Sequence, residues 1–129
     1  MATIRRFEDI KAWQQARIIA KEIHHLTQKE NFRKDFSLID EIKRSSGSIM
    51  DNIAEGYERD GNKEFIQYLS ISKGSSGETR SQLYRALDYG YISQEEFDAR
   101  YEQILHISSL IQNFIQYLKN SGLRGNKFK

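Results

Sequence analysis

The segment 93–120, SQEEFDARYEQILHISSLIQNFIQYLKN, has the spacing of an amphipathic helix. Apolar or small residues recur there at alternating steps of three and four, which places them on one helical face: Phe97, Tyr101, Ile104, Ser108, Ile111, Ile115 and Leu118. Ser93 and Glu96 have the spacing of a capping box, which satisfies free amides at a helix start. The pattern therefore predicts a helix over about 93–120 that ends before Gly122.

Three other segments carry the same pattern and predict helices over about 9–29, 37–58 and 62–89. Their apolar or small positions are Trp13, Ala16, Ala20, Ile23 and Thr27, then Ile39, Ile42, Ser46, Ile49 and Ile53, then Phe65, Leu69, Ser72, Ser76, Thr79, Leu83 and Ala86. Ser37 and Asp40 have the spacing of a second capping box. Turn residues at 59–62 and Gly90 separate the later helices.

Four helices of this kind, joined by short connections, predict an all-α fold, an antiparallel up-and-down four-helix bundle. With 129 residues and no proline, the chain is predicted to be one domain over 1–129, with a basic C-terminal tail at 121–129. We expect a core that contains Trp13, Ile42, Ile49, Ile53, Leu69, Leu83, Ile104 and Ile111.

The composition, with 38% hydrophobic and 29% charged residues, is that of a globular protein. The start, MATIRRF, lacks the apolar run of a secretory signal. The longest uncharged stretch, 103–118, is too short and too polar to span a bilayer. These features predict a cytoplasmic protein without a membrane partner.

The fourth predicted helix is apolar beyond its seam, through Leu105, Ile107, Leu110 and Phe114. An apolar arc this wide has two explanations, self-association or a wide contact within the core. The sequence leaves both open.

The run Gly74-Ser75-Ser76-Gly77 resembles a phosphate-binding loop, but such a loop lies between a strand and a helix. Here the run lies within a predicted helix, which also argues against a nucleic-acid clamp of the GXXG type. We expect these small residues to pack closely against residues 45–48 of the second helix. Because each glycine inside a helix costs about 1 kcal/mol, a compensating contact is implied, either tight packing or a passing ligand.

Two polar residues, Asn52 and Glu78, fall beside faces that are predicted to be buried. We predict a structural polar contact between them that orients the second and third helices. A lone glutamate with no partner base is a poor catalytic site, and the histidines, His24, His25 and His106, do not have metal-ligand spacing. The sequence predicts a protein that is not an enzyme and that has no metal or cofactor.

The net charge of +2 gives little support for nucleic-acid binding, but the distribution of charge gives more. Basic residues cluster near the two termini and at one pair in the second helix. The candidate nucleic-acid-binding residues are Arg5, Arg6, Lys43, Arg44, Lys119, Arg124, Lys127 and Lys129. A solvated basic tail is the alternative explanation for the C-terminal members.

Several residues together resemble the bacterial 23S rRNA intervening-sequence proteins, over about 7–122. They are Phe7-Glu8-Asp9-Ile10, Trp13, Ala16, Lys43-Arg44, Ser48-Ile49, Asn52-Ile53-Ala54-Glu55-Gly56, Phe65, Leu69, Gly74-Ser75, Glu78 and Tyr89-Gly90-Tyr91-Ile92. The most specific element is the NIAEG run, followed some twenty residues later by Gly-Ser and Glu on the next helix.

The resemblance implies a four-helix bundle that assembles as a homopentameric ring, encoded in insertions within ribosomal RNA genes or elsewhere in bacterial genomes. A related group, the accessory variability determinants of diversity-generating retroelements, has the same bundle and ring and binds nucleic acid through basic surfaces. We therefore expect a non-enzymatic oligomer that binds RNA or another nucleic acid weakly. A homo-oligomeric scaffold for a protein partner is the alternative.

Overall fold

The structure, a computed structural model, describes residues 3–121 and contains four α-helices in that range. They are α1 (Lys11–Thr27), α2 (Phe36–Glu58), α3 (Asn62–Asp88) and α4 (Gln94–Asn120). Short 3-10 helices at Phe7–Asp9 and Phe32–Lys34 precede α1 and α2. No strand occurs within this range.

Helix boundaries follow local capping chemistry. The predicted capping box at α4 is confirmed, because the Ser93 hydroxyl accepts from the Glu96 amide and the Glu96 carboxylate accepts from the Ser93 amide. The second predicted capping box is wrong. Asp35 caps α2 by accepting from the Leu38 amide at 3.0 Å, and the Ser37 hydroxyl bonds to Glu41 instead. A carboxylate is the better acceptor at this end of a helix because it also opposes the helix dipole.

Consecutive helices are antiparallel. Lys29, just after α1, contacts Glu96 at the start of α4, and Arg85 near the end of α3 contacts Glu41 near the start of α2. Both α1 and α3 pack against both α2 and α4. The prediction of an all-α, up-and-down four-helix bundle is confirmed.

Seven of the eight predicted core residues are buried, all except Trp13. In α1, the predicted Ala16, Ile23 and Thr27 are buried, whereas Ala12 and Ile19 are buried in place of Trp13 and Ala20, so the buried face is turned by a fraction of a residue. Small alanines there allow close approach of the neighbouring helices, whereas the larger indole lies at the edge. Its ring packs edge-on against Phe7, with centroids 5.2 Å apart.

Part of the wide apolar arc of α4 is a core contact. Ile107 is buried, and the Phe114 ring packs edge-on against Phe65, with centroids 5.3 Å apart. Leu110 and Phe114 also line a shallow apolar groove with Ile4 from the N-terminal segment.

The α2–α3 seam contains the predicted layer of small residues. The Ser48 and Ser75 hydroxyls are 3.0 Å apart, and the Ser72 hydroxyl donates across the seam to the carbonyl of Ile49 at 2.7 Å. Direct bonds from short side chains require the two helices to approach closely. The prediction that the serines of these two runs pack together is confirmed.

The predicted buried pair of Asn52 and Glu78 is wrong. Asn52 is half-buried and donates within its own helix, to the carbonyl and hydroxyl of Ser48. Glu78 is exposed, because the face of α3 toward α2 passes through Ser75 and Thr79, and Glu78 lies about 100° from Thr79 around the helix. Polar contact between the helices comes instead from Ser45, whose hydroxyl lies 2.8 Å from that of Thr79.

None of the helices in residues 3–121 is both long enough and apolar enough to cross a membrane.

Candidate nucleic-acid interface

A groove of about 450 Å³ runs along the surface between α3 and α4. Three basic side chains line it, Lys73 and Arg80 from α3 and Lys119 from α4. The other lining residues are Ser70, Gly74, Ser108, Gln112 and Ile115. None of the eight is acidic, so the groove combines positive charge with hydroxyl and amide donors.

Helical periodicity places these residues together. Lys73 and Arg80 are seven residues apart, two turns on one face of α3. The lining residues of α4, from Ser108 to Lys119, recur at steps of four, three and four. Because α3 and α4 are antiparallel neighbours, the two polar stripes face each other across the seam.

Arg80 is held by the aromatic edge of the groove. Its guanidinium carbon lies 5.8 Å from the centroid of the Tyr101 ring, within the range of a cation–π contact. Its Nε is buried and has no hydrogen-bond partner within the described range. Arginine carries five N–H donors, so the terminal amino groups of this guanidinium can donate to an acceptor in the groove.

Five basic residues outside the groove, Lys29, Arg44, Arg59, Arg85 and Arg100, each form an ion pair with a carboxylate, whereas others, such as Lys21 and Lys63, are not paired in the described range. Within residues 3–121, Lys73, Arg80 and Lys119 form none. Their charge is therefore not neutralised by the part of the bundle that the structure describes, and the field in the groove favours an external anion.

Gly74 lies at the groove and is exposed. A β-carbon added there would meet nothing within 4 Å, and one at Gly77 would meet only the Arg80 side chain, at 3.8 Å. The expected tight packing therefore involves the serines of this run, while the glycines face open space. The part of the chain described here does not supply the contact predicted to offset their cost in helix stability.

The structure brings one of the predicted binding residues, Lys119, into this groove. Lys43 and Arg44 lie on α2, where Arg44 is paired with Asp40 at 2.7 Å and borders a shallow groove also lined by Glu41 and Glu78. These carboxylates would repel a phosphate.

The remaining predicted binding residues lie near the chain termini. Arg5 and Arg6 are exposed just before the first 3-10 helix. Arg124, Lys127 and Lys129 lie outside the described residues.

Sequence reasoning missed Lys73 and Arg80. The signal that could have identified them is their seven-residue spacing beside Ser70 and Gly77, about a quarter of a turn around α3 from its buried serines. This face of α3 could not be identified as a binding surface from its own sequence, because residues of α4 form the other side of the groove.

Metal chemistry has no visible site in this range. Among residues 3–121, no three His, Cys, Asp or Glu side chains are grouped so as to hold a metal ion. The two adjacent histidines of α1, His24 and His25, are both exposed.

Comparisons with known proteins agree with the fold. The sequence model of a family described as 23S rRNA-intervening sequence protein matches residues 8–113. The chain is also similar to a crystal structure of a protein with unknown function from the S23 ribosomal protein family of Bacteroides thetaiotaomicron. The TM-score is 0.76 with 25% sequence identity, over 81% of this chain and 98% of that chain. No curated protein matches, and neither description names an enzymatic activity.

Proposed function

Because the chain belongs to the 23S rRNA-intervening sequence protein family, as the resemblance of its sequence predicts, we propose that it is a non-enzymatic, oligomeric RNA-binding protein of the cytoplasm. The observation that carries this proposal is the α3–α4 groove, where three cations converge without an acidic neighbour among the lining residues. The choice of RNA as the polyanion rests on the resemblance, which includes a related group that binds nucleic acid through basic surfaces.

The proposed mechanism is phosphate contact with release of counterions. Each phosphate neutralised on a single strand contributes about 0.7 to the slope of log affinity against log salt. Three groove cations on one subunit therefore predict a slope of about 2 for that subunit. Binding is weak at physiological salt because the net charge of the whole chain is small.

A charge-matched pair of variants tests this proposal. The groove variant carries Lys73→Gln, Arg80→Gln and Lys119→Gln. The control variant carries Lys21→Gln, Arg33→Gln and Lys63→Gln, which remove the same three charges from exposed positions outside the groove, so both chains change from +2 to −1. Fluorescence anisotropy with labelled RNA at two salt concentrations gives both affinity and slope.

We expect the groove variant to lose both RNA affinity and most of the salt dependence, and the control variant to lose less of each. Equal losses in the two variants would show that only net charge matters. Absence of RNA binding by the unchanged protein at low salt would refute the proposed function itself.

Self-association completes the proposal, and we expect a homopentamer. Phe36 on α2 is 79% exposed and Ile18 on α1 is 44% exposed, and such apolar surface away from the groove favours a contact between subunits. A ring would repeat the groove five times, and repeated weak sites raise affinity through avidity. Light scattering should give five times the chain mass of 15.2 kDa, about 76 kDa. A monomeric mass at micromolar concentration would contradict the ring.

A second candidate function is a scaffold for a protein partner. It is favoured by the apolar groove of about 230 Å³ between the N-terminal segment and α4, lined mainly by Ile4, Ile10, Ala12, Leu110, Phe114 and Tyr117. A partner bound there would be held by apolar burial, so its affinity would change little with salt. The scaffold function would be contradicted if RNA binding depends steeply on salt and the groove variant loses that dependence.

A further inference from the structure

An aromatic cluster lies next to Arg80 on the same seam. Tyr84 of α3 packs against Phe97 and Tyr101 of α4, with centroids 4.7 and 5.9 Å away. Tyr84 is 47% exposed, whereas Phe97 is buried beneath it. Phe97 and Tyr101 therefore support one side of the Tyr84 ring, and much of that ring is open to solvent.

The aromatic cluster and the groove cations form one continuous strip. Along α3 the order is Lys73, Arg80 and Tyr84, and along the antiparallel α4 the matching order is Lys119, Ser108 and Tyr101. Eighteen residues separate Tyr101 from Lys119, which is about 27 Å along a helix. This length accommodates several nucleotides. Arg80 contacts Tyr101 and lines the groove, so it joins the two parts.

This combination of groups distinguishes single strands from duplexes. Proteins that bind single-stranded nucleic acid pair a basic groove for the phosphates with aromatic rings on which bases stack. A duplex buries its bases in its own stack, so it would meet the cations but not the ring. A hydrogen bond that the Tyr84 phenol donates to Tyr101 also raises the pKa of Tyr84 above its ordinary value of 10.0, so the phenol is uncharged at neutral pH.

We propose that Tyr84 stacks on an unpaired base and that the α3–α4 groove therefore selects single-stranded RNA over duplex RNA. This inference rests on the proposed function, because the cations must hold the strand before a base can reach the ring. The ligand class is a single-stranded segment with bases free to turn outward.

The experiment compares Tyr84→Leu and Tyr84→Phe with the unchanged protein. Binding is measured at one low salt concentration to a labelled single-stranded RNA and to the same strand annealed to its complement. Tyr89→Leu is the matched control, because Tyr89 is 54% exposed and stacks edge-on with Tyr91, outside the groove. Circular dichroism melting verifies folding of each variant.

We expect Tyr84→Leu to weaken single-strand binding roughly tenfold and to leave duplex binding unchanged within about twofold. Tyr84→Phe and Tyr89→Leu should leave both affinities near those of the unchanged protein. If Tyr84→Leu fails to fold, Tyr84→Trp provides the test, because a larger ring should tighten single-strand binding and not duplex binding.

Three outcomes would overturn the inference. Equal losses of single-strand and duplex binding would show that Tyr84 only supports the fold of the groove. No loss with Tyr84→Leu, while substitution of Lys73, Arg80 and Lys119 abolishes binding, would remove the stacking role and leave the proposed function intact. Failure of the unchanged protein to bind either RNA would refute both.

Discussion

The two seams of α3 use the same stretch of sequence in opposite ways. Toward α2, Ser72, Ser75 and Thr79 are buried and bonded across the interface. Toward α4, residues of the same stretch, Lys73 and Gly74, lie on an open groove with Arg80 nearby. The polar groups of the first seam are paired with each other, and the second seam presents charge and space that residues 3–121 leave open.

The difference shows where binding function is expected in a helical bundle. A seam whose donors and acceptors are paired contributes stability and leaves nothing for a ligand. The α3–α4 seam, which within residues 3–121 has cations without ion pairs and an open glycine, contributes less to stability and can accept an anion. Substitutions in the first seam should therefore change unfolding, and those in the second should change binding.

The largest expected effect is in the apolar part of the α2–α3 seam. Ile49 is fully buried, so Ile49→Ala should lower the free energy of unfolding by about 2 to 5 kcal/mol through lost burial and a cavity. Urea unfolding followed by circular dichroism measures the change. Ser108→Ala in the groove is the control and should change stability by less than about 0.5 kcal/mol. A loss below about 1 kcal/mol for Ile49→Ala would mean that the core is misplaced.

Substitution of glycine by alanine should change stability in opposite directions in the two seams. A β-carbon at Gly56 would lie 2.5 Å from the β-carbon of Tyr68, so Gly56→Ala should destabilise by about 1 to 3 kcal/mol despite better helix propensity. At Gly74 the same change meets no atom and should stabilise by up to about 1 kcal/mol. Thermal melting of both variants decides this. A destabilised Gly74→Ala would mean that this surface is already packed against another subunit.

The polar layer is expected to have an intermediate effect. The Ser45 hydroxyl contacts the Thr79 hydroxyl and donates to the side-chain amide oxygen of Gln82, and all three residues are buried. Ser45→Ala would remove the donor to the Gln82 side-chain oxygen, whereas Thr79 keeps its bond to the Ser75 carbonyl, and the loss should cost about 1 to 3 kcal/mol. The control is Glu78→Gln, at an exposed position, which should melt within about 2 °C of the unchanged protein. Similar melting temperatures of the two variants would show that the contacts of Ser45 with Thr79 and Gln82 do not stabilise the bundle.

The smallest expected effect is the pH dependence of stability that arises where α2 begins and α3 ends. The Leu38 amide and the Tyr91 hydroxyl hold the pKa of Asp35 below 3.8, and Arg85 holds that of Glu41 below 4.5. A lowered folded-state pKa gives stability that is complete above the ordinary pKa and is lost as pH falls through the folded value. Melting temperature should therefore fall between about pH 5 and pH 3.

The control for this pH effect is Asp35→Asn, which should melt lower at neutral pH and fall less between pH 5 and pH 3. An unchanged acid slope in this variant would mean that Asp35 contributes nothing to it.

Local signals in the sequence were sufficient to predict four helices, because capping and periodicity act between residues a few positions apart, although Ser37 with Asp40 was a false capping signal. The Ser93–Glu96 capping box is an example of a capping signal, and the buried Ile49 is an example of a residue predicted by periodicity. The rotation of α1 that leaves Trp13 half-buried was not predictable, because it depends on which neighbours the alanines meet. The buried pair of Asn52 and Glu78 failed for the same reason, since one residue of helical phase separates Glu78 from the face toward α2.

The groove was harder to predict than the fold, because it is formed by residues up to 49 positions apart, from Ser70 to Lys119. Clusters of charge within the sequence pointed to the termini and to Lys43 and Arg44. The structure instead places Lys119 beside two isolated basic residues, Lys73 and Arg80, and gives Arg44 a carboxylate partner. Charge that lies together in space need not lie together in sequence.

The central claim is that RNA occupies the α3–α4 seam, and lysine acylation followed by mass spectrometry tests it most directly. The intact protein is labelled with and without a single-stranded RNA at low salt, and the modification of each lysine is compared. We predict that RNA protects Lys73 and Lys119 and leaves Lys43 and Lys63, on other surfaces, as reactive as before. Protection of Lys43 without protection of Lys73 and Lys119, or equal protection of all four, would contradict the account.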